Sequence, residues 1–366
     1  MKSTTLNLLL LLMLPVLACA QKPTKDMAYK KYTGRYGGSE GICLFDDGRF
    51  LLYGYATAVF GDYKIAGDAL LFSPDKMDRL EVYGHQNKSL KKGIRANFIG
   101  FERGGPTFLE LGKAGWQRVF NENPNCFSGP FVYEAAVVPA QIGFFALARS
   151  TDEDAAKNGE LWRFDNNAAY NDFILVYHAP KREYEDFQGR FLTREGQRFI
   201  QLSNYGGDKG YLLHPAEDSQ WAEMLDWKKQ AGGTGATGLN TAYANQHYRV
   251  FPELSLSNYK FDQKRNLYVK NSGNNNDEEY YSQNEYQDDR AIRKYVKLVP
   301  MKTEEKAALP KEQLPGSIFF SSCEDGSEKS YHYKGLKEQD VSGKTTKLDT
   351  IAPMVVPPPP VEGKKQ

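Results

Sequence analysis

Between residues 30 and 75 the apolar positions come in short alternating runs punctuated by glycine: "KKYTGRYGGSEGICLFDDGRFLLYGYATAVFGDYKIAGDALLFSPD". This is the period-two signature of half-buried strands. Asp47-Gly48 lies between "GICLF" and "RFLLYGY", and an Asp-Gly pair supplies the positive backbone angles that a tight hairpin needs. Gly67-Asp68 repeats the device between "DYKI" and "ALLF". Successive strands joined this way make a meander, and closing a short meander into a small barrel removes its exposed edges. "RLEVYGH", "GIRANFIGFE" and "PTFLELG" carry the rhythm to about Gly112, and the turn-rich "NENPNCFSGP" at 121–130 marks a boundary. Beyond it "ELWRF", "DFILVYH", "RFIQLS", "GYLLH", "QHYRVF", "RNLYVK" and "KYVKLV" predict a second β-rich domain ending near Pro300.

One segment switches to the helical period. In "AEDSQWAEMLDWKKQAGG", Trp221, Met224, Leu225 and Lys228 fall at i, i+3, i+4 and i+7. Asp218 or Ser219 can cap the start, acids come early and lysines late, and Gly232 suits the C-terminal end. The glycines that follow, Gly233, Gly235 and Gly238, have the spacing G-x-G-x-x-G. A dinucleotide site needs a strand before such glycines and a helix N-terminus after them. Here the helix precedes, and "LNTAYANQHYRVF" after it has no helical stripe, so the reading is a loop that ends a helix.

The order Gly34-x-Tyr36, Asp47-Gly48-x-Phe50, then Gly61-x-Tyr63 and Gly67-Asp68-x-Leu70-x-Phe72 resembles the lipocalin-like β domains of bacterial envelope proteins. The resemblance covers about 45 residues, 30–75, and implies fold and location, with no shared catalytic residues to carry over. A further echo joins "GRY" and "RFLLYGY" to "GRFLTREGQRFIQLSNYG" at 189–206, without a fixed period.

The first twenty residues, "MKSTTLNLLLLLMLPVLACA", have the layout of a secretory signal, with an apolar run too short to span a bilayer. Ala18-Cys19-Ala20 gives a cleavage site that leaves Gln21 first; "VLAC", Val16 to Cys19, resembles a lipobox in which Cys19 is acylated. Simple export is preferred because Leu17 is unusual in a lipobox. "FVYEAAVVPAQIGFFALA" at 131–148 is the other membrane-like stretch, but Glu134 and Pro139 make a span costly and two strands split at Pro139 the better reading. Loss of residues 1–20 removes one of the 47 basic residues and none of the 46 acidic ones, leaving charge in balance. That excludes a broad electrostatic footprint for nucleic acid and a polybasic membrane patch. Asp277-Glu278-Glu279 and Asp288-Asp289-Arg290 read as solvated loops.

With Cys19 in the signal, Cys43, Cys126 and Cys323 allow one intramolecular disulfide and leave one thiol over. Cys126 in "NPNCFSG" reads as inert or disulfide-bonded rather than as a nucleophile. His85, His178, His214, His247 and His332 are isolated and make no metal-ligand spacing. Glu183, Glu185 and Asp186 in "REYEDF" read as surface charge. In "STDEDAAKNGE" Asp152 and Asp154 have calcium-loop spacing, but Ala156 fills the next oxygen position. Tyr280, Tyr281 and Tyr286 in "EYYSQNEYQDDR" could stack on a sugar or touch a protein, although strand tyrosines with hydroxyls in water are the simpler reading.

The expectation is a mainly β protein. A signal peptide spans 1–20, an antiparallel meander or small lipocalin-like barrel 21–125, and a second β-rich domain with one amphipathic helix 126–300. A short helix and strand extension ("TEEKAALP", then "SIFFSS") follows over 301–335, and a proline-rich disordered tail over 336–366. Without a G-x-S-x-G elbow, an S-x-x-K motif or a cofactor fingerprint, no catalytic, cofactor or metal residue is assigned. The expected role is binding, adhesion or scaffolding outside the cytoplasm, with a protein or glycan of the envelope as partner. The alternatives are a hydrolase assembled from dispersed residues, or a carrier of an apolar ligand inside the first barrel.

Overall fold

The two turns reverse the chain where the sequence predicts, with Gly48 at φ +84° and Gly67 at φ +64°. The computed structural model describes residues 27–103, 105–147, 158–215, 219–233, 240–252, 254–271, 277–324 and 329–335. The export signal, the calcium-like "STDEDAA", residues 234–239 of the glycine loop and the tail from 336 lie outside the described residues. In chain order the strands are β1 (Gly34–Gly37), β2 (Gly41–Leu44), β3 (Arg49–Gly54), β4 (Thr57–Ala66), β5 (Ala69–Pro74), β6 (Leu80–His85), β7 (Ile94–Ile99), β8 (Thr107–Leu111), β9 (Trp116–Phe120), β10 (Phe131–Ala135) and β11 (Gln141–Leu147). There follow β12 (Asn158–Asp165), β13 (Asp172–Tyr177), β14 (Phe187–Arg194), β15 (Gln197–Leu202), β16 (Tyr211–Leu212), β17 (Thr241–Ala244), β18 (Tyr259–Asp262), β19 (Leu267–Lys270), β20 (Ala291–Leu298), β21 (Lys302–Ala308) and β22 (Gln313–Phe319). The α-helices are α1 (Met27–Tyr32), α2 (Ser219–Gly233) and α3 (Asp277–Gln283).

The chain forms two units. The first is built from the described residues up to Asp75 and from Glu185–Ala231; the second from Lys76–Tyr184 and the described residues from Gly232 onward. The barrel therefore takes strands from both sides of the boundary that the sequence suggests at 121–130, and β6 to β8 leave the meander for the second unit.

In the first unit eight antiparallel strands follow the order β1-β2-β3-β4-β5-β14-β15-β16 and nearly close as a barrel. The β5–β14 pair, with Phe72 opposite Phe187, joins the two chain segments. Closure comes from a bridge between Tyr36 and Leu213 and from the His214 N–H, which donates to the Arg35 carbonyl at 2.9 Å. The two halves of the "GRY" echo thus lie in one sheet, as β1–β3 and β14–β15.

Register separates the two faces of this sheet. Ile42, Leu44, Phe50, Leu52, Tyr63, Leu70, Phe72, Phe187, Ile200 and Leu202 point inward and are buried. The rings of Phe72 and Phe187 stack at 4.6 Å, and Phe50 meets both edge-on. Each such ring contributes roughly 1.5–3 kcal/mol by leaving water, and together they fill the barrel. Gly61 is the small residue that admits the Phe50 ring: a Cβ there would lie 2.5 Å from that ring and 2.5 Å from the Ser73 carbonyl oxygen.

On the outer face Cys43, Phe45, Leu51 and Tyr53 are covered by Trp221, Met224 and Leu225 of α2, three residues of the stripe expected from the sequence, and by Trp227. Lys228, last of that stripe, lies 4.5 Å over the Phe45 ring and pairs with Asp47 at 2.6 Å. Its alkyl stem covers apolar surface while the ammonium meets the hairpin-turn carboxylate.

The second unit is a sandwich. One sheet runs β10-β7-β13-β6-β20-β19-β18 with β17 also on β20; the other runs β21-β12-β11-β8-β9-β22. Pairing is antiparallel except for β13 with β7 and β22 with β9. Val82, Ile94, Phe98, Phe173 and Leu175 of the first sheet meet Leu109, Val119, Ile142, Phe144, Trp162 and Phe164 of the second in one core. β10 and β11 are the two strands expected on either side of Pro139, and no helix among the described residues is long and apolar enough to cross a membrane. Cys126 and Cys323, 197 residues apart, form a disulfide, and Cys43 is buried under α2.

Two expectations are corrected. The segment "TEEKAALP" forms β21 rather than a helix, because pairing with β12 at a sheet edge outweighs helix propensity. Its exposed charges suit an edge strand that must not pair further. "QHYRVF" is a turn rather than a strand, for reasons that belong to the site described next.

Replacing Gly61 with alanine forces a methyl onto the backbone of β5, and about 1–3 kcal/mol of stability should be lost. Urea unfolding measures this; an unchanged midpoint would contradict the packed barrel interior.

Candidate functional site

Two features of the second unit combine polar chemistry or concavity in a way the core does not. One is a row of residues across the outer face of the first sheet. Register sets Glu134 opposite Arg95, Arg95 opposite Asp172 and Asp172 opposite His85. Arg95 Nε donates to Glu134 Oε1 at 3.0 Å. At the far end the His85 and Tyr295 rings lie 5.3 Å apart. The row is thus a ladder of alternating charge through β10, β7, β13 and β6 that ends on two rings.

Asp172 is 1% exposed, and both its oxygens are occupied. Tyr248 OH donates to Oδ1 at 2.7 Å and Asn87 Nδ2 to Oδ2 at 2.7 Å. A buried carboxylate needs such donors, and charged hydrogen bonds are among the stronger ones. Burial, reinforced by the Asp172 charge, lifts the Tyr248 and Tyr295 phenols well above their ordinary 10.0, so both stay protonated. His85 Nδ1 lies 3.0 Å from the Lys294 carbonyl, which makes that nitrogen the N–H donor, and Nε2 is buried with no hydrogen bond among the described residues. Burial holds this imidazole below its ordinary 6.5, against the pull of Asp172 and of the Lys294 carbonyl.

The turn over the ladder is built by Asn245. Its Oδ1 accepts the N–H groups of His247 and Arg249 at 2.9 and 3.0 Å, and its Nδ2 donates to the Tyr286 and Asp288 carbonyls at 2.9 Å each. This Asx-type pattern competes with strand formation. It carries Tyr248 to φ +62°, a costly backbone state for an aromatic residue, and so brings its hydroxyl onto Asp172. Asp172, Tyr248 and His85 are thus buried at one end of the row, while Glu134 at the other end is exposed.

The second feature is a cleft of about 460 Å³ at one end of the sandwich. Leu109 and Leu111 of β8, Tyr133 and Ala135 of β10, the connector Ala136–Ala140 and Leu314 of β22 line it, with the turn Gly112-Lys113-Ala114-Gly115 and Gln117. Gly112 at φ +66° and Gly115 at φ +93° make that turn tight and set Lys113 at its tip. Val137 is 72% exposed and Leu314 41%, so the apolar lining continues to the surface. Among the described residues, Lys113 is the one charged residue of the lining. Nearby Glu110 is engaged by Arg163 at 2.7 Å.

The candidates taken from sequence fall elsewhere. Gly233 ends α2, Gly235 and Gly238 lie outside the described residues, and the next described element is strand β17. Glu183 lies in a 3-10 turn, with Glu185 and Asp186 exposed beside it. His178 Nε2 is 3.7 Å from Glu81, whose carboxyl is drawn down to about 2 by that contact and by Lys297, against its burial. His247 Nδ1 is 3.1 Å from the Tyr333 hydroxyl. His214 lies just beyond β16, and His332 is exposed.

Tyr280 and Tyr281 are on helix α3, not on a strand, and Tyr286 is half-buried in a 3-10 turn. Tyr281 donates to Asp289 Oδ1 at 2.5 Å, and Lys270 and Tyr259 bond the same carboxylate. Asp289 and Asp288, which pairs with Arg290, are thus parts of bonded networks rather than of a solvated loop. Sequence reasoning missed Asp172, Tyr248 and the cleft; Asn245, three residues before Tyr248, was the one local signal of a turn.

Comparison with models of protein families, with curated proteins and with solved structures found no match.

Because the folded state keeps His85 neutral while the unfolded chain protonates near 6.5, its contribution is complete above 6.5 and falls as pH drops below that value. A His85→Asn variant should therefore lose less stability than the parent between about pH 7.5 and 5, where a single such group contributes at most about 1.4 kcal/mol per pH unit. Parallel urea titrations check this; identical slopes would contradict it.

Proposed function

We propose that this is an exported, non-catalytic binding protein whose ligand surface is the apolar cleft of the sandwich unit. The observation that carries the reading is the cleft itself: concave, apolar to its rim and, among the described residues, lined by no carboxylate. Its size falls within the range typical of small-molecule sites. The burial of Asp172, with both of its oxygens hydrogen-bonded to Tyr248 and Asn87, supports a non-catalytic role.

A disulfide between Cys126 and Cys323 suits an oxidising compartment and so supports export. Removal of the signal before Gln21 remains the proposed processing, with acylation of Cys19 its competitor. The first unit is proposed as lipocalin-like on its eight antiparallel strands, nearly closed as a barrel. Its aromatic filling directs the ligand reading away from the barrel interior and toward the cleft.

A neutral solvatochromic dye such as Nile red should bind the native protein, and Val137→Asp, on an exposed rim position, should weaken it about fivefold or more while leaving the melting temperature unchanged. Dye emission that does not rise, or that is indifferent to Val137→Asp, would overturn the cleft reading.

A further inference from the structure

We infer that the cleft selects a medium-chain alkyl carboxylate, an amphipathic anion whose head meets Lys113 and whose chain lies on Leu109, Leu111, Tyr133 and Val138. The inference rests on the binding reading above and adds the class of ligand.

It starts from the distribution of charge. Of the described residues that line the cleft, Lys113, Gln117 and Tyr133 have polar side chains long enough to reach a ligand head group, and of these Lys113 alone is charged. Lys113 sits at the tip of a turn held by two glycines with positive φ, so its ammonium stands at the water-facing edge. The opposite wall, Ala135 to Ala140, offers methyl groups, two valines and a proline, with no acid to neutralise the ammonium or to repel an anion. Glu134 sits beside this wall in sequence, but strand alternation turns it to the other sheet face, where Arg95 engages it. Glu110 is likewise turned away to Arg163, and Glu312, whose carbonyl accepts the Trp116 N–H at 2.9 Å, is not among the residues that line the cleft.

An apolar trough with one cation at its mouth is complementary to a chain with one anionic end. A cationic amphiphile would set like charges together, and a neutral chain would leave the ammonium without a partner. A folded protein partner is less well matched, because a site of this size is concave and local whereas stable protein interfaces spread over roughly 800 Å² on each side.

Sodium decanoate and decylamine, each below its micelle concentration, are titrated into the full exported chain by calorimetry. Decanoate is expected to bind one to one and about tenfold more tightly than decylamine, and octanoate about tenfold more weakly than decanoate, from two methylene groups. Lys113→Gln should weaken decanoate about threefold, and Lys113→Glu should reverse the preference between the two amphiphiles. Ala136→Trp, which fills the trough from an exposed position, should abolish both.

Equal binding of decanoate and decylamine, unmoved by Lys113→Glu, would overturn the anion selection while leaving an apolar site in place. Binding of Nile red without binding of either amphiphile would also overturn it. If the dye fails as well, it is the binding reading itself that falls.

Discussion

A carboxylate with almost none of its surface in water must take its stabilisation from the protein, and the sandwich unit is organised around one. Asp172 lies mid-sheet with a phenol and an amide on its two oxygens and with register partners on both flanks, Arg95 and His85. Leaving such a group without donors would cost several kcal/mol, which is enough to select one register of β6, β13 and β7 over its slips. The turn that brings the phenol into place holds Tyr248 at positive φ, a strain of about 1–3 kcal/mol that the hydrogen bonds of Asn245 and Asp172 offset.

The consequence reaches the cleft through a single strand. Along β10, Glu134 points to the ladder and is tied to Arg95, while its neighbours Tyr133 and Ala135 point the other way and form cleft wall. The position of the wall is set by the pairing of β10 with β7, on whose opposite face this ion pair lies. A polar row on one face of the sheet and an apolar wall on the other thus share the strand β10.

Much of the architecture was legible because it rests on local signals. Asp47-Gly48 and Gly67-Asp68 declared hairpins through backbone angles few other residues adopt, and the Trp221–Lys228 stripe declared the helix through its period. What was not legible depends on distant partners. Nothing local in "RLEVYGH" says that it leaves the meander for another sheet, and nothing in "GRFLTREGQRF" says that it returns to complete the barrel. "TEEKAALP" has helical composition and becomes a strand because β12 offers it an edge. Asp172 reads in sequence as an ordinary acid before an apolar run; only pairing with β6 and β7 surrounds it. The cleft is assembled from three separate segments, 109–117, 133–140 and Leu314, none of which signals it by itself.

The dependence on Asp172 is most directly tested by a double-mutant cycle in urea with Asp172→Asn, Tyr248→Phe and the pair together. A coupling of about 1.5–3 kcal/mol, the range for a hydrogen bond to a charged group, is the predicted result. Additive losses, with coupling below about 0.5 kcal/mol, would show that the phenol and carboxylate do not sustain one another, and would contradict the ladder as the element on which the sandwich depends.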